Sequence, residues 1–135
     1  MTERSTTPLI GKEHARPLHV YVAGPLSNGD WGENIHRATL AAMEVNDVED
    51  CFAFLPHLFF YLHVVSPRGY EYWMRQCFAW ILRCDALLRI PGESSGADRE
   101  IEFARSHGIP VFDSLADLKV WAQTARTEKP SFAWR

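Results

Sequence analysis

Three short runs in this chain, "LHVYVAG", "CFAFL" and "DALLRI", are nearly continuous in apolar residues, and each halts at a proline: Pro25, Pro56 and Pro91. Runs of this length without polar alternation predict strands buried on both faces. A fourth, "IPVF", lies at Ile109 to Phe112. Between the runs, apolar residues recur at helical spacing. Ile35, Ala38, Ala42 and Val45 form one stripe, and Trp73, Cys77, Trp80, Ile81 and Cys84 form a second. Ala97 to His107 predicts a helix closed by Gly108, and Leu115, Leu118, Val120 and Trp121 a last one behind an N-cap at Ser114. His57 to Gly69 is apolar without a clean period and predicts a loop or short helical excursion. Strands alternating with helices imply an α/β chain: a three-layer Rossmann- or flavodoxin-like fold, its parallel sheet of four or five strands covered by helices on both faces.

A chain of 135 residues suits one domain, which buries roughly two-thirds of the surface of its unfolded form. The expected organisation is a flexible leader at 1–16, the domain at 17–126 and a tail at 127–135. A net charge of −3 argues against a nucleic-acid polymer or an anionic membrane as partner. No segment reaches the ~18 consecutive apolar residues of a membrane span, and the leader lacks the apolar stretch of a signal peptide. Cys51, Cys77 and Cys84 are odd in number and lack C-x-x-C spacing, which indicates neither disulfides nor zinc. The expectation is a cytoplasmic protein without metal or cofactor whose partner is a small molecule or a protein.

In parallel sheets of this kind ligands sit beyond the carboxyl ends of the strands, where strand order reverses. The loops that matter are then "GPLSNGDWGEN", "PHLFFYLHVVSPRG" and "PGESSGA". Ser94, Ser95 and Gly96 precede a helix, where hydroxyls and free N–H groups could hold a phosphate, or a serine could simply cap the helix. Asp98, Glu100 and Glu102 follow. Acidic residues near a helix start are commonly there for the macrodipole alone, which favours an ionised Glu100 suited to nucleophilic attack. Residues two apart on a helix point about 160° from one another, so at most one or two of the three face the crevice. Tyr21, near the end of its strand, could reach the crevice with its hydroxyl or be a core aromatic. Gly24 marks either a close approach to a ligand or a plain strand end. His57 lies in a loop expected at the site, whereas His36, His63 and His107 have no nameable partner and are taken as structural or solvated.

Four motifs, "YVAGPLS", N-x-x-R-A at Asn34 to Ala38, "CDALLR" at Cys84 to Arg89, and S-x-G-x-x-x-E-I-x-x-A at Ser94 to Ala104, occur in this order from Leu18 to about Phe112. Together they resemble the nucleoside 2-deoxyribosyltransferase-like superfamily, which includes 2'-deoxynucleoside 5'-phosphate N-hydrolases, and in particular its bacterial and phage members. The resemblance implies that Glu100 is a nucleophile attacking C1' of a (deoxy)ribosyl group and that Tyr21 orients it. It further implies that Gly24, Pro25, Ser27 and Gly29 of the first loop, with His57, Ser94 and Gly96, surround sugar and phosphate. A serine at position 94, rather than an aspartate for a free 5'-hydroxyl, tilts the expected substrate toward a nucleoside 5'-monophosphate and the expected reaction toward hydrolysis of the N-glycosidic bond. Deoxyribosyl transfer to a second base, or nucleotide binding without turnover, are the alternatives. The chain departs from the family at Cys77, where an aspartate assists proton transfer to the base; His57 is one possible substitute. A homodimer or higher homo-oligomer is also implied.

Overall fold

The computed structural model describes residues 13–128 and 131–133. In chain order the elements are β1 (Glu13–Ala15), β2 (Leu18–Ala23), α1 (Trp31–Asn46), β3 (Cys51–Phe54), a 3-10 turn (Pro56–Leu58), α2 (Phe59–Val65), α3 (Tyr70–Ile81), β4 (Ala86–Arg89), α4 (Ser95–Ser106), β5 (Val111–Phe112), α5 (Leu115–Glu128) and β6 (Ser131–Ala133). Four strands form a parallel sheet in the order β3-β2-β4-β5. β2 lies inside it, with Tyr21 opposite Phe54 on one side and Leu87 on the other. This is the expected α/β architecture, with four strands in the main sheet.

Alternation along β2 sorts the two apolar layers. Leu18, Val20 and Val22 face Ala38, Ala42 and Val45 of α1 and Leu118 and Ala122 of α5. Tyr21 and Ala23 face Cys77 and Ile81 of α3 and Ala97 and Ala104 of α4. The chain reverses direction across the sheet between β2 and β4, so the crevice for a ligand opens beyond Ala23 and Arg89.

Local signals set the helix starts. The Asp30 carboxylate accepts from the Glu33 amide at 2.9 Å, which begins α1 at Trp31, four residues before the first residue of the expected stripe, Ile35. Ser94 Oγ accepts from the Ala97 amide at 3.1 Å and Ser114 Oγ from the Asp117 amide at 3.1 Å.

Three expectations need correction. The end of the segment expected to be a loose leader is strand: Glu13–Ala15 pairs antiparallel with Ser131–Ala133, and the remainder, 1–12, lies outside the described residues. The inward face of α3 is Met74, Cys77 and Ile81; Trp80 is half-exposed and stacks on Phe54 at 4.8 Å, near the edge of the sheet. In α5, Leu118 and Ala122 set the buried stripe and Val120 faces solvent.

Gly24 owes its identity to packing. A Cβ there would overlap Cγ1 and Cδ1 of Ile90, whose amide donates to the Ala23 carbonyl at 2.9 Å. Gly24→Ala is therefore expected to destabilise the protein by about 1–3 kcal/mol. Ile90→Ala in the same chain removes both overlapping atoms and should recover part of that loss, which urea denaturation of the two single variants and the double variant will measure as a coupling.

Candidate functional site

The crevice is a cavity of about 640 Å³ with Glu100 in its lining. Glu100 is the sixth residue of α4, on the stripe that also buries Ala97 and Ala104, while Asp98 and Glu102 point to solvent. The spacing argument thus selects one of the three carboxylates. Beneath it Tyr21, wholly buried at the centre of the sheet, donates its phenolic hydrogen to Glu100 Oε2. Cys77 of α3 closes the group: it lines the cavity, belongs to the same apolar layer as Tyr21, and lies within hydrogen-bonding reach of the phenol.

Burial decides the protonation of these groups. It pushes the Glu100 carboxyl from the ordinary 4.5 up to about 7, against the hydrogen bond from Tyr21 and the charge of Arg89, both of which favour the anion. The expectation of a carboxylate kept ionised by the macrodipole is corrected: that field fades beyond the first turn, and Glu100 stands outside it. Burial, the Glu100 charge and the neighbouring thiol raise Tyr21 well above 10. Burial and the Glu100 charge likewise push the Cys77 thiol up to about 12. It is a neutral thiol at any physiological pH.

His57, expected as a site residue, lines the cavity and is buried. Its Nε2 lies 3.0 Å from the Pro25 carbonyl, and since a carbonyl only accepts, the ring proton sits on Nε2 and is engaged there. Burial lowers its pKa, against the backbone carbonyls of Pro25 and Gly24. Nδ1 is bare, buried and unpartnered among the described residues. The one proton of its neutral ring is therefore turned to backbone.

Two loops form the polar rim. Asn34, buried at the start of α1, donates to the carbonyls of Leu26 at 2.8 Å and Asn28 at 2.9 Å, and Asn28 donates across to the Glu93 carbonyl at 2.8 Å. Arg89 fixes the opposite turn by donating to the carbonyls of Ile90 at 2.6 Å and Gly92 at 2.8 Å. Ser27, Ser94, Ser95 and Gly96 line the cavity from these loops. Ser94 both caps α4 and faces the cavity, so its two expected roles are compatible, and the N–H groups of Ser95 and Gly96 stand at the open end of the helix. Gly96 leaves room for Tyr70, whose hydroxyl would lie 3.4 Å from an added Cβ.

The other expected loop residues divide. Gly24 lines the cavity, although Ile90 is what forbids it a side chain. Pro25 is outside the lining: its ring packs where a Gly92 Cβ would stand, 2.5 Å away, and only its carbonyl serves the site, through His57. Gly29, at φ 95°, is exposed and also outside.

The apolar wall is new relative to the sequence expectations. Phe59 and Phe60 of α2, Trp31 of α1, and Trp73 and Met74 of α3 line it, with His63 and Arg68 among them. Phe59 stacks on Trp73 at 5.9 Å and Phe60 meets Trp31 edge-on at 5.0 Å. His63, taken as structural or solvated, is a cavity residue. The only signal in the sequence was the aromatic density of "HLFFYLHVVSPRG".

Sheet, switch point and cavity define a doubly wound α/β domain with a buried carboxylate facing a half-aromatic, half-polar pocket, a form suited to a flat, polar-ended small molecule. Domain of unknown function (DUF4406) matches residues 18–113, and the chain belongs to that family. Among curated proteins none matches the chain. Among the described residues no group of three or more histidine, cysteine, aspartate or glutamate side chains could hold a metal ion, and no helix is long and apolar enough to cross a membrane.

The Glu100 shift has a definite sign. A carboxyl that holds its proton to about pH 7 when folded, against 4.5 ordinarily, adds stability that is whole below pH 4.5 and lost as pH rises through about 7. Glu100→Gln keeps the shape and cannot ionise. It is expected to match wild type at pH 4.5 and to exceed it by about 3 kcal/mol at pH 8, compared by urea denaturation at the two pH values.

Proposed function

We propose that the protein is an N-glycosidase that hydrolyses the N-glycosidic bond of a (deoxy)nucleoside 5'-monophosphate, as the resemblance to nucleoside 2-deoxyribosyltransferase-like proteins implies. The observation that carries this reading is the buried Tyr21–Glu100 pair facing a cavity with an aromatic wall on one part and a helix N-terminus on another. The wall suits a stacked base, and Ser94 with the N–H groups of Ser95 and Gly96 suits a phosphate. Glu100 Oε attacks C1', the C1'–N bond breaks with its electron pair passing to the base, and water then cleaves the glycosyl ester and restores the carboxylate. Tyr21 holds one carboxylate oxygen so that the other is free to attack. The thiols of Cys51, Cys77 and Cys84, none of them in a disulfide, are consistent with the reducing cytoplasm proposed for it.

Incubation of the purified protein with a panel of nucleoside monophosphates should release free base, and Glu100→Ala should lower the rate about 10⁴-fold or more. Release by neither protein, or equally by both, ends the proposal. The rate should rise with pH around a midpoint near 7, as the Glu100 carboxyl ionises. Tyr21→Phe removes a hydrogen bond that favours the anion, so it should move that midpoint up by about one to two pH units while lowering the maximal rate.

One observation favours a second reading, a nucleotide-binding module without turnover: a thiol pushed up to about 12 stands where the resemblance calls for an acid. Calorimetric binding of a nucleotide with no base released, and no turnover gained by Cys77→Asp, is its signature.

A homo-oligomer is proposed on the outer face of α2, where Leu58, Tyr61, Leu62, Val64 and Val65 are exposed together. Sedimentation velocity should show a dimer or larger species that Val65→Glu with Leu62→Glu converts to monomer; a monomeric wild type removes the proposal.

A further inference from the structure

His63 is held in one orientation. Its Nδ1 accepts from the Trp73 indole N–H at 2.9 Å and from the Arg68 amide at 3.2 Å, which puts the proton of the neutral ring on Nε2. The ring lines the cavity, as does Arg68, whose guanidinium lies 4.7 Å over the Tyr72 ring and pairs with no carboxylate among the described residues. This part of the wall therefore offers a neutral N–H donor and a cation, set among aromatic rings that suit a flat ligand.

At its floor and aromatic wall the cavity is poor in acids: its one lining carboxyl besides Glu100 is that of Glu93, exposed on the rim loop after β4. The proton on His57 Nε2 is engaged by the Pro25 carbonyl, and Cys77 is a buried thiol. When the C1'–N bond breaks, the electron pair stays on the base nitrogen. Without an acid the base departs as an anion, its charge spread onto a conjugated carbonyl oxygen, and takes its proton from water afterwards. The water that cleaves the glycosyl ester gives its oxygen to C1' and releases one proton, so atoms and charge balance as nucleotide plus water giving base plus sugar phosphate.

We propose that His63 and Arg68 are the base-recognition residues of this cavity: they donate to a nucleobase carbonyl oxygen, favour keto over amino bases, and stabilise the base as it leaves as an anion. The assignment rests on the glycosidase reading of the same site. A base bearing an amino group at that position would set N–H against N–H and leave buried donors unmatched, so discrimination arises from repulsion as well as attraction. Trp73 is a positioning residue, acting through the ring it holds.

The test compares kcat/KM for base release in two pairs of 5'-monophosphates that exchange a carbonyl for an amino group, inosine against adenosine and uridine against cytidine, each in ribo and 2'-deoxy form. Wild type is expected to favour the keto member tenfold or more. His63→Phe, which keeps an aromatic ring without the donor, should lose about 10²-fold on keto substrates and only a few-fold on amino ones, so that the preference collapses. Trp73→Phe, which keeps an aromatic ring in the wall and removes the indole N–H that clamps His63, should show the same keto-selective loss at smaller amplitude, and it carries the test should His63→Phe fold poorly by circular dichroism. Equal losses on both classes, or a wild-type preference for amino bases, overturn the assignment while leaving the glycosidase reading intact. Absence of release from all eight substrates ends both.

Discussion

The hydrogen bond from Tyr21 to Glu100 is the interaction on which the site depends. It joins the innermost layer of the sheet to the helix that forms one wall of the crevice, and it does so between two buried groups, of which Glu100 lines the crevice. Tyr21 is fixed by its place in β2, between Phe54 and Leu87, and by stacking on Phe54 at 5.7 Å. Glu100 is fixed by the Ser94 cap, which sets where α4 begins and hence which of its faces turns inward. A shift of one residue in that start would turn α4 by about 100° and carry the carboxylate out of the crevice.

The rest of the crevice serves this geometry through contacts distant in sequence. Asn34 ties down the loop after β2, Asn28 bridges it to the loop after β4, and Arg89 clamps the turn that leads into Ser94. The interlock of Gly24 with Ile90 and of Gly92 with Pro25 brings the two strand ends together at the switch point. Backbone carbonyls that a mobile loop would expose are thus engaged, and the rim is built before a ligand arrives, which lowers the ordering entropy that binding must overcome.

What was legible in the sequence followed from local chemistry. Apolar runs ended by proline located the strands, Ser94 and Ser114 announced their helices, and two-residue spacing separated Glu100 from Asp98 and Glu102. The Asp30-x-x-Glu33 start of α1 is an equally local signal. The remainder depends on what lies across the fold. No local pattern tells that Ile90 excludes a side chain at Gly24, or that the inward face of α3 runs through Met74 and leaves Trp80 at the edge of the sheet. The segment carrying Phe59, Phe60 and His63 lacks a period because it packs against a cavity and solvent instead of a continuous core, so neither helical nor strand alternation is imposed on it. The protonation of Glu100 has the same origin: the macrodipole can be read from a helix start, whereas burial, which raises the carboxyl, and the Tyr21 hydrogen bond and Arg89 charge, which oppose it, arise from elements distant in sequence.

On the proposed glycosidase reading, that desolvation is also what would give the carboxylate its chemical value. An anion stripped of water lies higher in free energy than a solvated one, and the same low polarity strengthens its attraction for positive charge. Breaking a glycosidic bond places positive charge on C1', so the destabilised Glu100 anion would recover in the transition state what the fold gives up in holding it. Tyr21 limits that penalty with one hydrogen bond, enough to bring ionisation near neutrality and too little to quench the other oxygen. The Cys77 thiol, held neutral, adds no second negative charge beside it. An aspartate in its place would raise Glu100 further by like-charge repulsion or take up a proton itself. The cysteine therefore leaves a single titrating carboxylate at this floor, and on the proposed glycosidase reading any stabilisation of a departing base would come from the opposite wall.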